Sequence, residues 1–201
     1  MSAESIGGSE MFRDLVKANR SYRGYDGSYQ IDREKLLSYV DLTRYAASSL
    51  NIQPLKYHIA CEKEEVAKIL PLTKFAARLA HLHLPHEGMN PTAFIVICQD
   101  KNLAPNIASF QRDVGIVAQT ILLAATEDGL GGCMIGSFSL AELKKILDLP
   151  ENLEPVLVVA LGKPAEKIVL TDVKEDGEIG YYRDENDVHY VPKRALKDIL
   201  C

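Results

Sequence analysis

Ile107-Ala-Ser-Phe-Gln-Arg-Asp-Val-Gly-Ile-Val-Ala-Gln-Thr-Ile-Leu-Leu-Ala-Ala-Thr-Glu-Asp-Gly-Leu-Gly-Gly-Cys-Met-Ile-Gly-Ser-Phe138 is the stretch that decides the fold. Between Val114 and Ala125 only Gly115, Gln119 and Thr120 interrupt the apolar run. The run is too long for a strand and rich in Ala, Leu and Ile, so it reads as a helix. Apolar nearly all round, it is expected to be buried with other elements packed about it. It is too short and too interrupted to span a membrane. Gly129 stands where a helix takes a left-handed closing residue. Leu130 to Gly136 is read as a tight turn, and Ser139-Leu-Ala-Glu142 as a capping box opening the next helix. Glycines crowded at a helix exit fit either a flat or charged group lying on the backbone or ordinary turn chemistry.

Working outward, Phe94 to Cys98 and Pro155 to Leu161 are continuous apolar runs, the mark of strands covered on both faces. Pro54 opens a third strand, Leu55 to Cys61. Ser9 can cap a first helix burying Phe12, Leu15 and Val16, after a loose, small and polar start at residues 1–8. Asp32 caps a second helix running to about Ala47, with Leu36, Leu37, Val40, Thr43 and Ala47 on its stripe. Glu62 to about Ala80 reads as two helices broken at Pro71. From Lys167 onward the chain is polar, and residues 181–201 read as an arm lying on another surface, such as a second subunit.

The 201 residues suit a single domain able to bury a sizeable core. A net charge of -5 argues against a protein that coats nucleic acid. None of Cys61, Cys98, Cys133 and Cys201 forms a C-x-x-C pair, so zinc and iron–sulfur ligation is not expected. Met1 to Glu10 lacks the apolar core of a signal peptide, and free thiols in a reducing cytoplasm are expected. His81, His83 and His86 form H-x-H-x-x-H in a segment that ends in Pro85 and Gly88, either a solvated loop or a metal site whose one carboxylate at a supporting spacing is Glu87.

Two segments offer polar chemistry. Arg20-Ser21-Tyr22-Arg23 brings two guanidinium forks and a hydroxyl together, a set suited to phosphate, or a solvated helix end. Ser48, Ser49, Asn51 and Gln53 offer donors and acceptors to a heteroaromatic edge, or form a plain loop.

In order along the chain, these stretches resemble the nitroreductase family. Arg20-Ser-Tyr-Arg23 is similar to its R-S-x-R element, and Ala47 to Pro54 to its P-S-x-x-N-x-Q-P-W element. Asp113 to Gly131 resembles its central helix and glycine exit. Val159 to Glu166 resembles its last strand and G-x-P-A-E turn, and Val191-Pro-Lys-Arg194 its C-terminal basic element. The resemblance covers about Met11 to Leu200. The chain departs from the pattern at Asn19, where many members have arginine, at Ala47 for proline, at Leu55 for tryptophan, and at Gly136, where some have glutamate.

The resemblance implies an α+β fold, a mixed central sheet flanked by helices around the long central helix. It implies non-covalent FMN at the interface of a homodimer whose subunits share the flavin sites. It implies ping-pong transfer of electrons from NAD(P)H to a nitro compound, quinone or similar acceptor. Arg20, Ser21, Arg23, Lys193 and Arg194 would face the phosphate and the reduced ring. Ser48, Ser49, Asn51 and Gln53 would face the ring edge, and a backbone N–H of Ile135, Gly136 or Ser137 the flavin N5. No side chain is singled out as acid, base or nucleophile, and no metal is expected. Members with a dedicated task, such as dehalogenation or flavin destruction, and a non-enzymatic FMN sensor are the alternatives.

Overall fold

The computed structural model describes residues 4–201, with side chains described from Met11 onward. The expectation of a loose start therefore lies outside the described residues for 1–3. From Glu4 the backbone is helical, and helix α1 (Glu4–Ala18) encloses Ser9 rather than starting at it.

The central sheet has the order β1 (Leu55–Ala60), β2 (Ala93–Asp100), β4 (Leu153–Gly162), β3 (Gly131–Ile135). The two apolar runs became its two inner strands, as a strand covered on both faces must be apolar along its whole length. Residues 93–99 are all buried. All three strand pairings are antiparallel. The sheet is mixed only at its edge, where Ser21 makes a parallel bridge to Gly132 of β3.

One face of the sheet packs on helix α4 (Gln111–Glu127), through Val117, Ala118, Ile121, Leu122 and Ala125. Helix α2 (Arg33–Leu42) closes that layer with Leu36 and Tyr39. The opposite face carries α3 (Lys63–Ile69) and α5 (Leu140–Ile146) over Phe94, Val96, Val158 and Ala160.

Several boundaries differ from the sequence reading. Helix α2 stops at Leu42, and Leu37 points outward. Helix α3 begins just after Glu62, but beyond Ile69 only short 3-10 turns follow, at Leu70–Leu72 and Ala77–Leu82. Ser139 is the residue before α5, yet its side chain makes no capping bond. Gly129 takes the left-handed conformation at φ 72°, and Leu130 N–H closes the helix on Ala125 O at 2.8 Å. This is the turn that only a residue without a Cβ adopts cheaply.

Leu130 to Gly136 is not a tight turn. Gly131–Ile135 is strand β3, and its glycines are there for close approach. A Cβ on Gly131 would run into the Tyr22 ring, and one on Gly132 into Ala160 O. The flat group on the glycine backbone is thus the protein's own Tyr22, whose N–H donates to Gly132 O at 3.0 Å. That contact lays residues 20–25 along the sheet edge.

The polar C-terminal region is ordered into a second sheet, β5 (Ile168–Asp172), β7 (His189–Lys193), β6 (Tyr182–Arg183). It is built on buried polar groups, which hydropathy does not mark. The Arg183 side chain is 2% exposed, pairs with Glu166, and donates to Asp187 at 2.7 Å. Residues 181–193 therefore pack on their own chain, and the arm shortens to the residues after Lys193, with Leu196, Ile199 and Leu200 exposed.

Two helical faces expected to be buried lie open. Phe12 and Val16 of α1 are 60% and 42% exposed. Helix α4 is not covered all round: Gly115, Ile116 and Gln119 form an open stripe. Among the described residues no helix is long and apolar enough to cross a membrane.

Candidate functional site

Two of the cavities beside α4 take in site residues expected from the sequence. The first, about 660 Å³, is walled by Arg20, Ser21, Arg23, Met134, His189 and Lys193, among others. The second, about 230 Å³, is bounded by Ser48, Gln53, Leu55, Asp113 and Val117. Gln119, Leu122 and Leu123 of the same helix line the first. Asp113 and Leu122 are about 13 Å apart along the helix axis. Within one chain, then, the R-S-x-R residues meet Lys193, whereas the Ser48–Gln53 loop sits in a separate place.

The basic cavity is rich in donors. Arg20 Nη2 donates to Val16 O at 3.0 Å, and burial depresses the Arg20 pKa. Arg23 Nη1 donates to Ser21 O at 3.1 Å and lies 3.2 Å from His189 Nε2; its guanidinium stands 4.9 Å over the Tyr181 ring. The Arg23 backbone N–H donates to Glu166, which pins the segment. Asn19 Nδ2, Arg20 Nε, Arg23 Nε and His189 Nδ1 are buried without a hydrogen-bond partner. Buried N–H groups are ordinarily paired, and these four, shut off from solvent, leave the wall behind the cavity unsatisfied.

His189 is a residue that the sequence reading missed. It is 1% exposed, and burial together with Arg23 and Arg183 lowers its pKa to about 4. It is therefore neutral at pH 7. Because Arg23 can only donate, Nε2 accepts and Nδ1 carries the hydrogen. The available signal was the alternation His189, Val191, Lys193, which all face the cavity from β7.

The Ser48–Gln53 loop is tightly built. Asp113, 4% exposed on α4, accepts from Ser48 Oγ at 2.7 Å and Ser49 N–H at 3.0 Å. Ser48 Oγ accepts from Gln53 N–H at 3.0 Å, and Gln53 Nε2 donates to Asn51 Oδ1 at 3.0 Å. Leu50, Asn51 and Gln53 all have φ above 50°. Left-handed conformations in non-glycine residues cost of order 1–3 kcal/mol each and cluster at binding sites. Asp113, which the sequence reading placed only at the start of the stretch resembling the central helix, is the residue that anchors this loop.

Other expected residues fall outside both cavities. Arg194 follows β7 in an exposed position. Ile135 is buried in the opposite face of the sheet, and its neighbour Met134 faces the basic cavity. Gly136 and Ser137 are exposed just past β3, with Ser137 O accepting from Lys74 N–H. His81 and His83 are exposed and His86 pairs with Asp187 at 3.2 Å; among the described residues no three metal-binding side chains converge.

The model of the nitroreductase family matches residues 16–163. The chain belongs to the nitroreductase family. The match takes in α4, the sheet, both arginines and the Ser48 loop, and it ends before the C-terminal sheet that supplies His189 and Lys193. A Methanothermobacter thermautotrophicus protein described as an NADH dehydrogenase/NAD(P)H nitroreductase is 27% identical over 157 residues, covering 76% of this chain and 77% of the relative. The NADPH-flavin oxidoreductase of Vibrio harveyi is 30% identical over 165 residues, 75% of this chain and 65% of its own. A nitroreductase-like protein of Exiguobacterium sibiricum, solved in complex with FMN, superposes with a TM-score of 0.62 at 22% identity, covering 77% and 89% of the two chains. That likeness speaks for the fold, and this nitroreductase is α+β in the same sense.

Proposed function

We propose that this nitroreductase is an FMN-dependent enzyme that takes electrons from NAD(P)H and passes them, in two half-reactions, to a nitro compound, quinone or similar small acceptor. The convergence of Arg20, Ser21, Arg23 and Lys193 on the basic cavity carries the reading. FMN offers what they lack: phosphate oxygens at one end and carbonyl oxygens and ring nitrogens at the other. A cavity of this size suits a ligand of that class. Bound FMN would supply the two-electron chemistry that no side chain possesses. Arg20, Ser21 and Lys193, with Arg194 beyond them, would hold the phosphate; Arg23 would stand toward the ring. Four unpaired cysteines suit a reducing cytoplasm.

The second half of the site comes, on this reading, from another copy. A twofold axis across the open stripe of α4, near Ile116, would carry one copy's Ser48–Gln53 loop toward the other copy's Arg20–Arg23. The exposed apolar side chains of Phe12, Val16 and Ile116 give such an interface its driving force. Ser48, Ser49, Asn51 and Gln53 then meet the ligand from the far side. Gly136 and Ser137, exposed at the end of β3, offer backbone N–H groups on the near side.

The test is the absorption spectrum of the purified protein, with chromatography of the heat-released cofactor and anaerobic titration with NADH and NADPH. A yellow protein that releases FMN and bleaches with either nicotinamide is expected. FAD, or no flavin after reconstitution, defeats the reading; bound FMN that neither nicotinamide reduces would make the protein a flavin-binding sensor.

The two arginines are expected to divide the work. A phosphate contact is the same before and after reduction, so Arg20→Ala should weaken FMN binding by one to two decades and leave the potential in place; one charge-assisted hydrogen bond is worth about 1.5–3 kcal/mol. Arg23→Ala should lower the potential, since a cation near the ring favours the charge gained on reduction. FMN titrations and spectroelectrochemistry of both variants decide it. An unmoved potential in Arg23→Ala removes that residue from the ring.

A further inference from the structure

Arg23 has an unusual set of partners. Its guanidinium touches Ser21 O, His189 Nε2 and the face of Tyr181, all neutral. The nearby carboxylates are already engaged: Glu166 with Arg183 and the Arg23 backbone N–H, Asp187 with Arg183 and His86. Among the described residues no carboxylate pairs with the Arg23 side chain. Its guanidinium is therefore held in place by neutral groups, with the Glu166 carboxylate near it but bonded to Arg183 and to the Arg23 backbone N–H. A carboxylate in the place of His189 would fix the guanidinium equally well, but would satisfy its charge and weaken its pull on an anion.

We propose that His189 is a positioning residue for Arg23: as the neutral Nδ1–H tautomer it accepts from Arg23 Nη1 and, with the Tyr181 ring, clamps the guanidinium at the cavity while leaving its charge for the ligand. The inference rests on the FMN reading of the cavity. The Tyr181 and His189 rings lie 5.4 Å apart at 47°, so imidazole and phenol form one wall against which the guanidinium rests. Arg183 and Lys193 add positive charge, and Asp187 negative charge, around the same imidazole. A second hydrogen on Nε2 would abolish the acceptor and set a cation against Arg23.

The experiment compares His189→Gln, which keeps an acceptor near the Nε2 position, with His189→Leu, which keeps bulk and removes it. Each is made alone and with Arg23→Ala, and the affinity of the apoprotein for reduced FMN, where the ring carries the charge that Arg23 meets, is read anaerobically by flavin absorbance at pH 7.5. His189→Leu is expected to lose about tenfold in affinity, one net hydrogen bond's worth, and His189→Gln to stay within about threefold of wild type. Adding His189→Leu to Arg23→Ala should cost nothing more, because the clamp has nothing left to hold. Additive losses, or a Gln variant as weak as Leu, overturn the proposal. Nitrogen-15 spectra of the wild type at pH 7 must show Nε2 as the unprotonated ring nitrogen. A protonated Nε2 overturns the proposal by itself. Failure of wild-type apoprotein to bind FMN would instead defeat the functional reading, with the tautomer still testing the clamp.

Discussion

Ile116→Arg is expected to yield a folded monomer that no longer retains FMN. Ile116 is 41% exposed in the single chain, on the N-terminal half of α4. A substitution at a surface position of this kind usually changes the stability of the chain itself by no more than about 0.5 kcal/mol. In a twofold assembly across α4 the same change places two like charges in an apolar contact. An unpaired charge buried there costs several kcal/mol, enough to shift a micromolar dimer to monomer at working concentrations. The Ser48–Gln53 loop then leaves the Arg20–Arg23 cavity, and the flavin loses half its contacts. Light scattering and the flavin absorbance of the same sample check both consequences. A variant that stays dimeric and yellow would show that the α4 stripe is not the interface. Removal of residues 194–201 should act in the same direction, because Leu196, Ile199 and Leu200 have no cover in their own chain. Removal from 181 would also take Arg183 and His189 out of the buried network and unfold the second sheet, so the shorter deletion is the informative one.

Acid should destabilise the protein through His189. The folded pKa is lowered from 6.5 to about 4 by burial and by Arg23 and Arg183. Between those values the unfolded chain binds a proton that the folded chain does not. Stability therefore rises with pH across this window: the His189 contribution is complete above about pH 6.5 and is lost as pH falls toward 4. Its upper bound is roughly 3 kcal/mol. Urea unfolding from pH 4 to 7.5 in wild type and His189→Gln measures it as the difference between two curves. The subtraction removes contributions common to both chains, including those of Glu166 and Asp187, which face the same wall. A His189→Gln curve parallel to wild type across the window would mean that His189 titrates normally.

The sequence by itself determined the layers of the fold. Phe94–Cys98 and Pro155–Leu161 were legible as inner strands because a strand buried on both faces has no polar position to spare. The central helix and its Gly129 stop were legible because helix length, apolar density and a left-handed closing residue are all local properties. The order of weak motifs along the chain pointed to the family.

Tertiary structure alone decided where the site residues go. Gly131 and Gly132 read as a turn because glycine signals freedom locally; the reason for them is Tyr22 and Ala160, far away in the chain. The open faces of α1 and α4 read as buried because hydropathy reports that a face is apolar, not which molecule covers it. Asp113 and His189 were invisible as site residues because a buried polar group is stabilised by partners distant in sequence: Ser48 is 65 residues away from the one and Arg23 166 from the other. Hydrophobic pattern records what leaves water, whereas the placement of charge depends on what the fold sets beside it.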